Sequence, residues 1–346
     1  MDSFVDGRRY LAACTAGLPT HETLRAMRAD LDAWSRAETG PAAYGDLVEE
    51  GRALFAGLVG VGADRVATGS QTSAMTAVVA ASVPDGAEVL VPDGDFSSIV
   101  FPFLQQEHRG VRVRSVPLDT LPTAVDERTA LVAWSHVQSA TGAIAPSAAV
   151  VDAARAVGAR TLCDLTQAAG VLPVDASPYD VTLTHAYKWL CAPRGVAFMT
   201  VSDRALEELR PVQAGWYAGA DVWSSCYGPT MRLAEDARRF DVSPAWQAWP
   251  GAVAALRHVA SLDPAAAWRH ATGLVDRLCD ALGAPRQGRA IATFPDADGA
   301  LLAALGTAGI TASGRAGRVR LAFHHWNDER DADEVAEVVA AVRRAG

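Results

Sequence analysis

Lys188 stands in Thr182-Leu-Thr-His-Ala-Tyr-Lys-Trp-Leu-Cys-Ala-Pro-Arg-Gly195, at the end of an apolar run and in a tight turn closed by glycine. A lysine ammonium is strongly hydrated, so desolvation lowers its pKa and frees the amine for Schiff-base formation with a carbonyl. Read by itself, Lys188 could equally be a surface loop lysine. Asp164 lies 24 residues earlier (188 minus 164), in Thr161-Leu-Cys-Asp-Leu-Thr-Gln167, at the tip of a second apolar run. A buried carboxylate needs a partner. A protonated pyridine nitrogen would be such a partner and would make the ring an electron sink; the alternative is an N-cap for the next helix. The interval has room for one helix and one strand, so the two residues can reach one crevice from neighbouring elements.

Two further clusters follow earlier apolar runs. Thr68-Gly-Ser-Gln-Thr-Ser-Ala74 opens a helix, where Gly69, Ser70 and Gln71 could present free N–H groups to a phosphate. A plain N-cap is the simpler reading. In Asp93-Gly-Asp-Phe-Ser-Ser98, Phe96 could stack on a flat ring or serve as a core phenylalanine.

The elements that must position these residues are short apolar runs at 65–68, 88–91, 112–116, 130–134, 161–164, 181–184 and 196–201. Helical segments at 73–81, 99–106 and 148–157 separate them, the alternation of a mostly parallel sheet covered on both faces. Ligands bind such sheets outside the carboxyl ends of the strands. Before this region, 10–19 reads as an extended segment, and helices are expected over 21–38 and 44–58. In the first of these, Leu24, Met27, Leu31 and Trp34 recur at spacings of three and four, which predicts a packed apolar face. After an aromatic stretch at 215–228 the chain reads as a smaller α+β unit. It has helices near 251–261 and 265–282, strands near 290–294 and 318–323, and a closing helix over 331–344. The expected division is a large domain at 20–250 and a small one formed by 1–19 and 251–346.

Net charge of −9 argues against a nucleic-acid partner. The five cysteines are scattered without CxxC spacing, which suggests neither a metal site nor a disulfide framework and fits a reducing cytosol. No window is apolar enough for a membrane span, so the expected location is cytoplasmic, with no membrane partner.

Taken together, these residues resemble the fold-type I pyridoxal-phosphate enzymes of aminotransferase class V, which include cysteine desulfurases, kynureninases, isopenicillin-N epimerase and hercynylcysteine sulfoxide lyases. The resemblance extends over nearly the whole chain. It implies pyridoxal 5'-phosphate as cofactor, and an α/β large domain with a mostly parallel seven-stranded sheet covered by helices. Lys188, with Gly195 and Ala197 after it, matches the Schiff-base lysine. Asp164 and Gln167 match the Asp-x-x-Gln pair that holds the pyridine nitrogen and the phenolic oxygen. Gly69, Ser70 and Gln71 match the phosphate turn, and Phe96 the stacking position. Tyr187 resembles a kynureninase tyrosine that binds phosphate, and His185 falls where desulfurases place a phosphate-binding serine. Arg320, in Arg320-Leu-Ala-Phe-His-His-Trp-Asn327, matches the arginine that holds the substrate α-carboxylate, a task suited to a guanidinium fork. Read without the resemblance, Arg320 is a surface strand arginine, as Arg318 two residues earlier could equally be.

Ser243, in Arg239-Phe-Asp-Val-Ser243-Pro, matches a segment that reaches the neighbouring subunit's phosphate, here one residue shorter. It implies a homodimer with the active site at the subunit interface. Trp216 lies where kynureninases line their substrate pocket, and a packed interface is its alternative.

The implied reaction begins with Cα deprotonation of an α-amino acid held as a Schiff base, Lys188 acting as base. Aminotransferase-type chemistry or racemisation at Cα ranks first. A lyase cleaving C–S or C–C at Cβ ranks second, and a catalytically silent homologue serving as a binding partner third. A persulfide-forming desulfurase is not expected, because 283–320 holds no cysteine and Cys279 falls in a helix with an apolar face. Kynurenine is not expected either: Ile99 stands where kynureninases have an aspartate, and Gln167 replaces a histidine.

Overall fold

The computed structural model describes residues 3–4 and 6–345 of the 346-residue chain, so Met1, Asp2, Val5 and Gly346 of the expected small domain lie outside the described residues. The large unit opens with helices α1 (His21–Ser35) and α2 (Pro41–Leu58). It continues through β1 (Val66–Gly69), α3 (Thr72–Ser82), β2 (Glu88–Pro92), α4 (Ser97–Leu104), β3 (Arg112–Val116) and α5 (Leu121–Ala124). It then runs through β4 (Thr129–Ser135), α6 (Ser147–Val157), β5 (Arg160–Asp164), β6 (Val181–His185), β7 (Ala197–Val201) and α7 (Asp203–Glu208). The chain then passes through α8 (Trp249–Ala260), α9 (Pro264–Ala281), β8 (Ile291–Pro295), α10 (Ala300–Thr307), β9 (Ser313–Arg315), β10 (Arg318–Ala322) and α11 (Glu329–Ala345).

The seven strands form one sheet in the order β1-β7-β6-β5-β4-β2-β3. Strand β7 runs antiparallel to both neighbours, and the remaining pairs are parallel. Strands β2, β6 and β7 are buried at every position, as continuous apolar runs must be when helices cover both faces. Because six strands share one direction, Gly69, Pro92, Ser135, Asp164 and His185 all end at one edge of the sheet. The smaller sheet is antiparallel in the order β8-β10-β9. Its Val319 and Leu321 pack with residues of α9, α10 and α11. The N-terminal segment joins this sheet: Leu11 N–H donates to the Thr311 carbonyl and Ala322 N–H to the Leu11 carbonyl, each at 2.8 Å.

Two expectations need correction. The apolar stripe of α1 is covered only in part: Leu24 and Met27 are half-buried, with Met27 against Gly251 of α8, whereas Leu31 is 47% and Trp34 59% exposed. Periodicity marks an apolar face, but coverage depends on which partner lies against each turn. Helix α8, assigned by sequence to the small domain, packs on α1 and α2. Its Trp249, Leu256 and Val259 belong to the core under the large sheet, so the packing changes hands nearer residue 261 than 251. Among the described residues no helix is long and apolar enough to cross a membrane.

Candidate active site

The β6–β7 connection presents Lys188. Ala186 N–H donates to the Val196 carbonyl (3.0 Å), Cys191 N–H to the Lys188 carbonyl (3.0 Å) and Ala192 N–H to the Ala186 carbonyl (3.1 Å), which folds the turn on itself. Gly195 at its end has φ +106°, a region that favours glycine. The N-terminal segment crosses this turn, Gly17 N–H donating to the Tyr187 carbonyl at 2.8 Å. A Cβ on Gly17 would sit 2.1 Å from the Lys188 carbonyl oxygen, so only glycine permits the approach.

Lys188 is 6% exposed and Asp164, on the neighbouring strand, 5%. Burial pulls the lysine down to about 8; Asp164 opposes this, and the charges of Arg320 and Arg315 add to it. Burial likewise pushes Asp164 up, against hydrogen bonds from Thr166 and the charge of Lys188. Both shifts have one cause, removal from water, and mutual attraction limits both. Lys188 Nζ lies 5.5 Å from the Phe96 ring centroid and 5.7 Å from that of Tyr187. Phe96 is 42% exposed, so it is not the core phenylalanine of the simpler reading.

A second carboxylate, Asp95, stands beside Phe96. It accepts from Ser135 N–H (2.8 Å), Ser135 Oγ–H (2.5 Å) and Phe96 N–H (2.6 Å), while burial pushes its carboxyl above the usual range. Its charge also raises Asp164.

Gln167 is fixed by three contacts. Its Nε2 donates to the Cys14 carbonyl (2.9 Å) and to Ser139 Oγ (3.4 Å), and its Oε1 accepts from Trp189 Nε1 (2.9 Å). His185 packs edge-on against Tyr187 at 4.3 Å, and Arg194 lies over the Tyr187 ring at 5.0 Å. Burial, aided by the charges of Arg194 and Lys188, takes His185 to about 4, so its ring is neutral. Its Nε2 is buried without a partner, as is Thr68 Oγ1. Helix α3 starts after Gln71 with no side-chain cap bond. Its first-turn N–H groups are therefore left for another acceptor, unlike in a plain N-cap.

Arg320 comes from the small sheet and is 1% exposed, which overturns its reading as a surface arginine. Its Nε and Nη2 donate to Ser313 Oγ (3.2 and 3.0 Å), Nη2 to Thr15 Oγ1 (3.1 Å) and Nη1 to Ser139. All these acceptors are neutral. A buried guanidinium held this way retains an uncompensated charge, suited to a carboxylate.

The residues gathered around Lys188 are thus Asp164, Gln167, Phe96, His185, Tyr187 and Arg320, with Gly69, Ser70 and Gln71 along the same strand edge. Ser243 is exposed and follows Val242, whose N–H approaches the Thr68 carbonyl at 3.4 Å. Trp216 is not brought to this group. Its ring packs on Tyr217 (5.3 Å) and Trp223 (5.4 Å) and against the large core, and no hydrogen bond or ring contact joins it to Lys188 or Phe96 among the described residues.

Sequence reasoning missed Asp95, Cys14, Thr15, Ser139 and Ser313. Asp95 follows a strand and was open to the rule that singled out Phe96; the others come from loops and an edge strand without a local signal. Cys14 is 1% exposed, its Sγ 3.6 Å from Ser313 Oγ.

A flat ring bearing a basic nitrogen and a phosphate fits these residues. The Asp164 carboxylate suits the nitrogen, the open α3 terminus and the orphaned His185 Nε2 suit the phosphate, and Lys188 suits a carbonyl carbon.

Residues 30–310 match the family profile described as aminotransferase class-V. The chain is 31% identical over 283 residues to isopenicillin N epimerase of Streptomyces clavuligerus, covering 74% of this chain and 70% of that one. It is 31% identical over 219 residues to kynureninase of Deinococcus radiodurans, covering 60% of this chain and about half (52%) of that protein. The fold also matches the cystine C-S lyase C-DES in complex with its reaction product cysteine persulfide, with TM-score 0.86, 21% identity and coverage of 96% and 97%. The apo cysteine desulfurase of Thermococcus onnurineus gives TM-score 0.85 at 18% identity, with coverage of 97% and 95%. At such identities these two likenesses concern the fold.

Proposed function

The chain belongs to the aminotransferase class-V family, and from that premise we propose that it deprotonates an α-amino acid at Cα, with aminotransferase-type chemistry or epimerisation as the outcome. It is a pyridoxal-phosphate-dependent transferase or lyase. When bound, the cofactor supplies an electron sink for the pair released at Cα. The observation that carries the reading is the buried Lys188 amine beside the buried Asp164 carboxylate, at the ends of adjacent strands.

In this reading the amine of Lys188 would hold the cofactor's carbonyl carbon, and as a free base it would take the α-proton. Asp164 holds a proton on the ring nitrogen. Gln167 Nε2 would be the donor to the phenolic oxygen. Phe96 covers one ring face. The α3 terminus with Gly69, Ser70 and Gln71, helped by His185 Nε2 and Tyr187, binds the phosphate. Arg320 fixes the substrate α-carboxylate, which sets the Cα–H bond against Lys188. Ser243 reaches the partner subunit's phosphate in a homodimer, to which Trp216 contributes an aromatic surface. Five free cysteines support a cytosolic setting.

Similarity to an epimerase supports a reaction confined to Cα. Similarity to a kynureninase supports the second reading, a lyase acting at Cβ. Cys14 is fixed and buried, unlike a thiol that must carry sulfur to an acceptor, so a persulfide-forming desulfurase is not proposed. A silent homologue is set aside because Lys188 and Asp164 are both present, buried and within reach of each other's charge.

Purified protein is expected to show the visible band of a lysine-bound cofactor, and Lys188→Ala to lose it; an intact band in that variant would sink the proposal. Incubation with an amino-acid panel separates the outcomes. Keto-acid acceptor dependence marks transamination, inversion without an acceptor marks epimerisation, and pyruvate or thiol release marks the lyase.

A further inference from the structure

The side of the small sheet that looks onto Lys188 is lined with arginines. Antiparallel pairing sets Ser313 opposite Arg320 and Arg315 opposite Arg318. Residues directly opposite, or two apart along a strand, share a face. That face meets the large unit, since Arg320 reaches Ser139 there; the other face, with Val319 and Leu321, is covered by helices. Arg289, just before β8, borders the same region and donates Nη1 to the Thr141 carbonyl at 2.7 Å. Among the described residues none of these four guanidiniums has a carboxylate oxygen within 4.0 Å. This concentration of positive charge occurs in a chain with 40 acidic and 31 basic residues.

Three of the four make contacts into the body of the protein, although Arg289 Nε and Arg318 Nε are buried without an acceptor. Arg320 is buried and spoken for by the α-carboxylate, Arg289 holds Thr141, and half-buried Arg318 leans on Thr293 at 3.3 Å. Arg315 differs. It is exposed at the rim, and the hydrogen bond its side chain makes is to the carbonyl of its neighbour Gly314, at 2.7 Å. Burial lowers Lys188 and Arg320 and raises Tyr187, and the Arg315 charge reaches all three, adding to the first two shifts and opposing the third. Two guanidiniums on one strand pair, one deep and one at the rim, repel each other until anions arrive. We infer that the substrate is an α-amino acid carrying a second carboxylate on its side chain, with the α-carboxylate on Arg320 and the distal one on Arg315. The inference rests on the proposed function and narrows its substrate class.

The test uses cofactor-loaded protein and follows the shift of the visible band on adding L-aspartate or L-glutamate, each against its amide, L-asparagine or L-glutamine. Binding should favour at least one acid over its amide by about tenfold or more, the scale of a well-placed charge contact. Arg315→Gln should bring that ratio to within about twofold, whereas Arg318→Gln, which removes an equal charge on the same face, should keep most of it. No preference in the wild type overturns the inference. So does a preference that survives Arg315→Gln, or one lost equally in Arg318→Gln. Weakened cofactor retention in Arg315→Gln with the ratio unchanged would assign Arg315 to the phosphate instead. The underlying reading fails separately: it falls if the visible band is missing or survives Lys188→Ala, whereas a normal band without acid preference sinks this inference alone.

Discussion

Cofactor capture by the stripped protein should follow the titration of Lys188. Only the neutral amine attacks a carbonyl carbon. With a pKa of about 8 in place of the ordinary 10.5, the neutral fraction at pH 7 is about one in eleven instead of about one in three thousand, a gain of about 300-fold. The rate at which the visible band appears should therefore climb about tenfold per pH unit and level off near pH 8. Stopped-flow absorbance across this range gives the profile, and hydride trapping with peptide mapping assigns the reacting amine to Lys188. Asp164→Asn supplies the sign. Burial lowers the lysine and the Asp164 charge raises it, so deleting that charge leaves burial unopposed and moves the plateau to lower pH. A plateau near the ordinary lysine value, or an upward displacement in Asp164→Asn, would refute the claim that burial against Asp164 activates this amine.

Two structural perturbations should reach the site from outside it. Arg52 and Asp241 are each 2% exposed and pair at 2.7 Å, and Asp241 also accepts from Thr68 N–H at 2.6 Å, just before the Gly69 turn. Asp241→Ala leaves buried Arg52 with only the exposed Glu49 carboxylate, 2.9 Å away, as counter-charge, and should lower stability to urea by about 3 kcal/mol, with weaker cofactor retention; a loss under about 1 kcal/mol would contradict it. Gly17→Ala places a methyl against the backbone of Lys188 and Cys191, at 2.1 and 3.0 Å. It should cost about 1–3 kcal/mol and impair cofactor loading, and unchanged melting with full loading would rule out the close approach.

Much of this site was legible because an α/β sheet converts chain order into spatial order. Six of the seven strands pointed their last residues to one edge, so Gly69, Phe96, Asp164 and Lys188 could be gathered from four separate stretches of sequence. Apolar runs marked the strands well for the same reason: positions buried on both faces admit few polar residues. The opposite wall of the site was not legible. Thr15, Ser139 and Ser313 meet Arg320 across separations of 305, 181 and 7 residues, and nothing local in 11–17 or 139–143 announces such a meeting. The edge strand β9 is three residues long and carries glycine, too short for alternation to show. Trp216 stands apart: its ring lies against its own neighbours Tyr217 and Trp223, contacts that an aromatic-rich stretch makes within itself.

The two walls of the site come from different sheets, so their spacing has to be set by whatever connects them. Residues 11–17 form that connection. Leu11 is hydrogen-bonded on both sides into the small sheet, Thr15 receives Arg320, the Cys14 carbonyl receives Gln167, and Gly17 is bonded to Tyr187. Seven residues thus tie Arg320 to the turn that carries Lys188. In the proposed reading, a substrate carboxylate on Arg320 is placed relative to the amine by one short segment, held through the backbone at Leu11 and Gly17 and through side chains at Thr15 and Gln167. On that proposal, a small sheet with few residues of its own in the crevice would govern which bond at Cα faces the base.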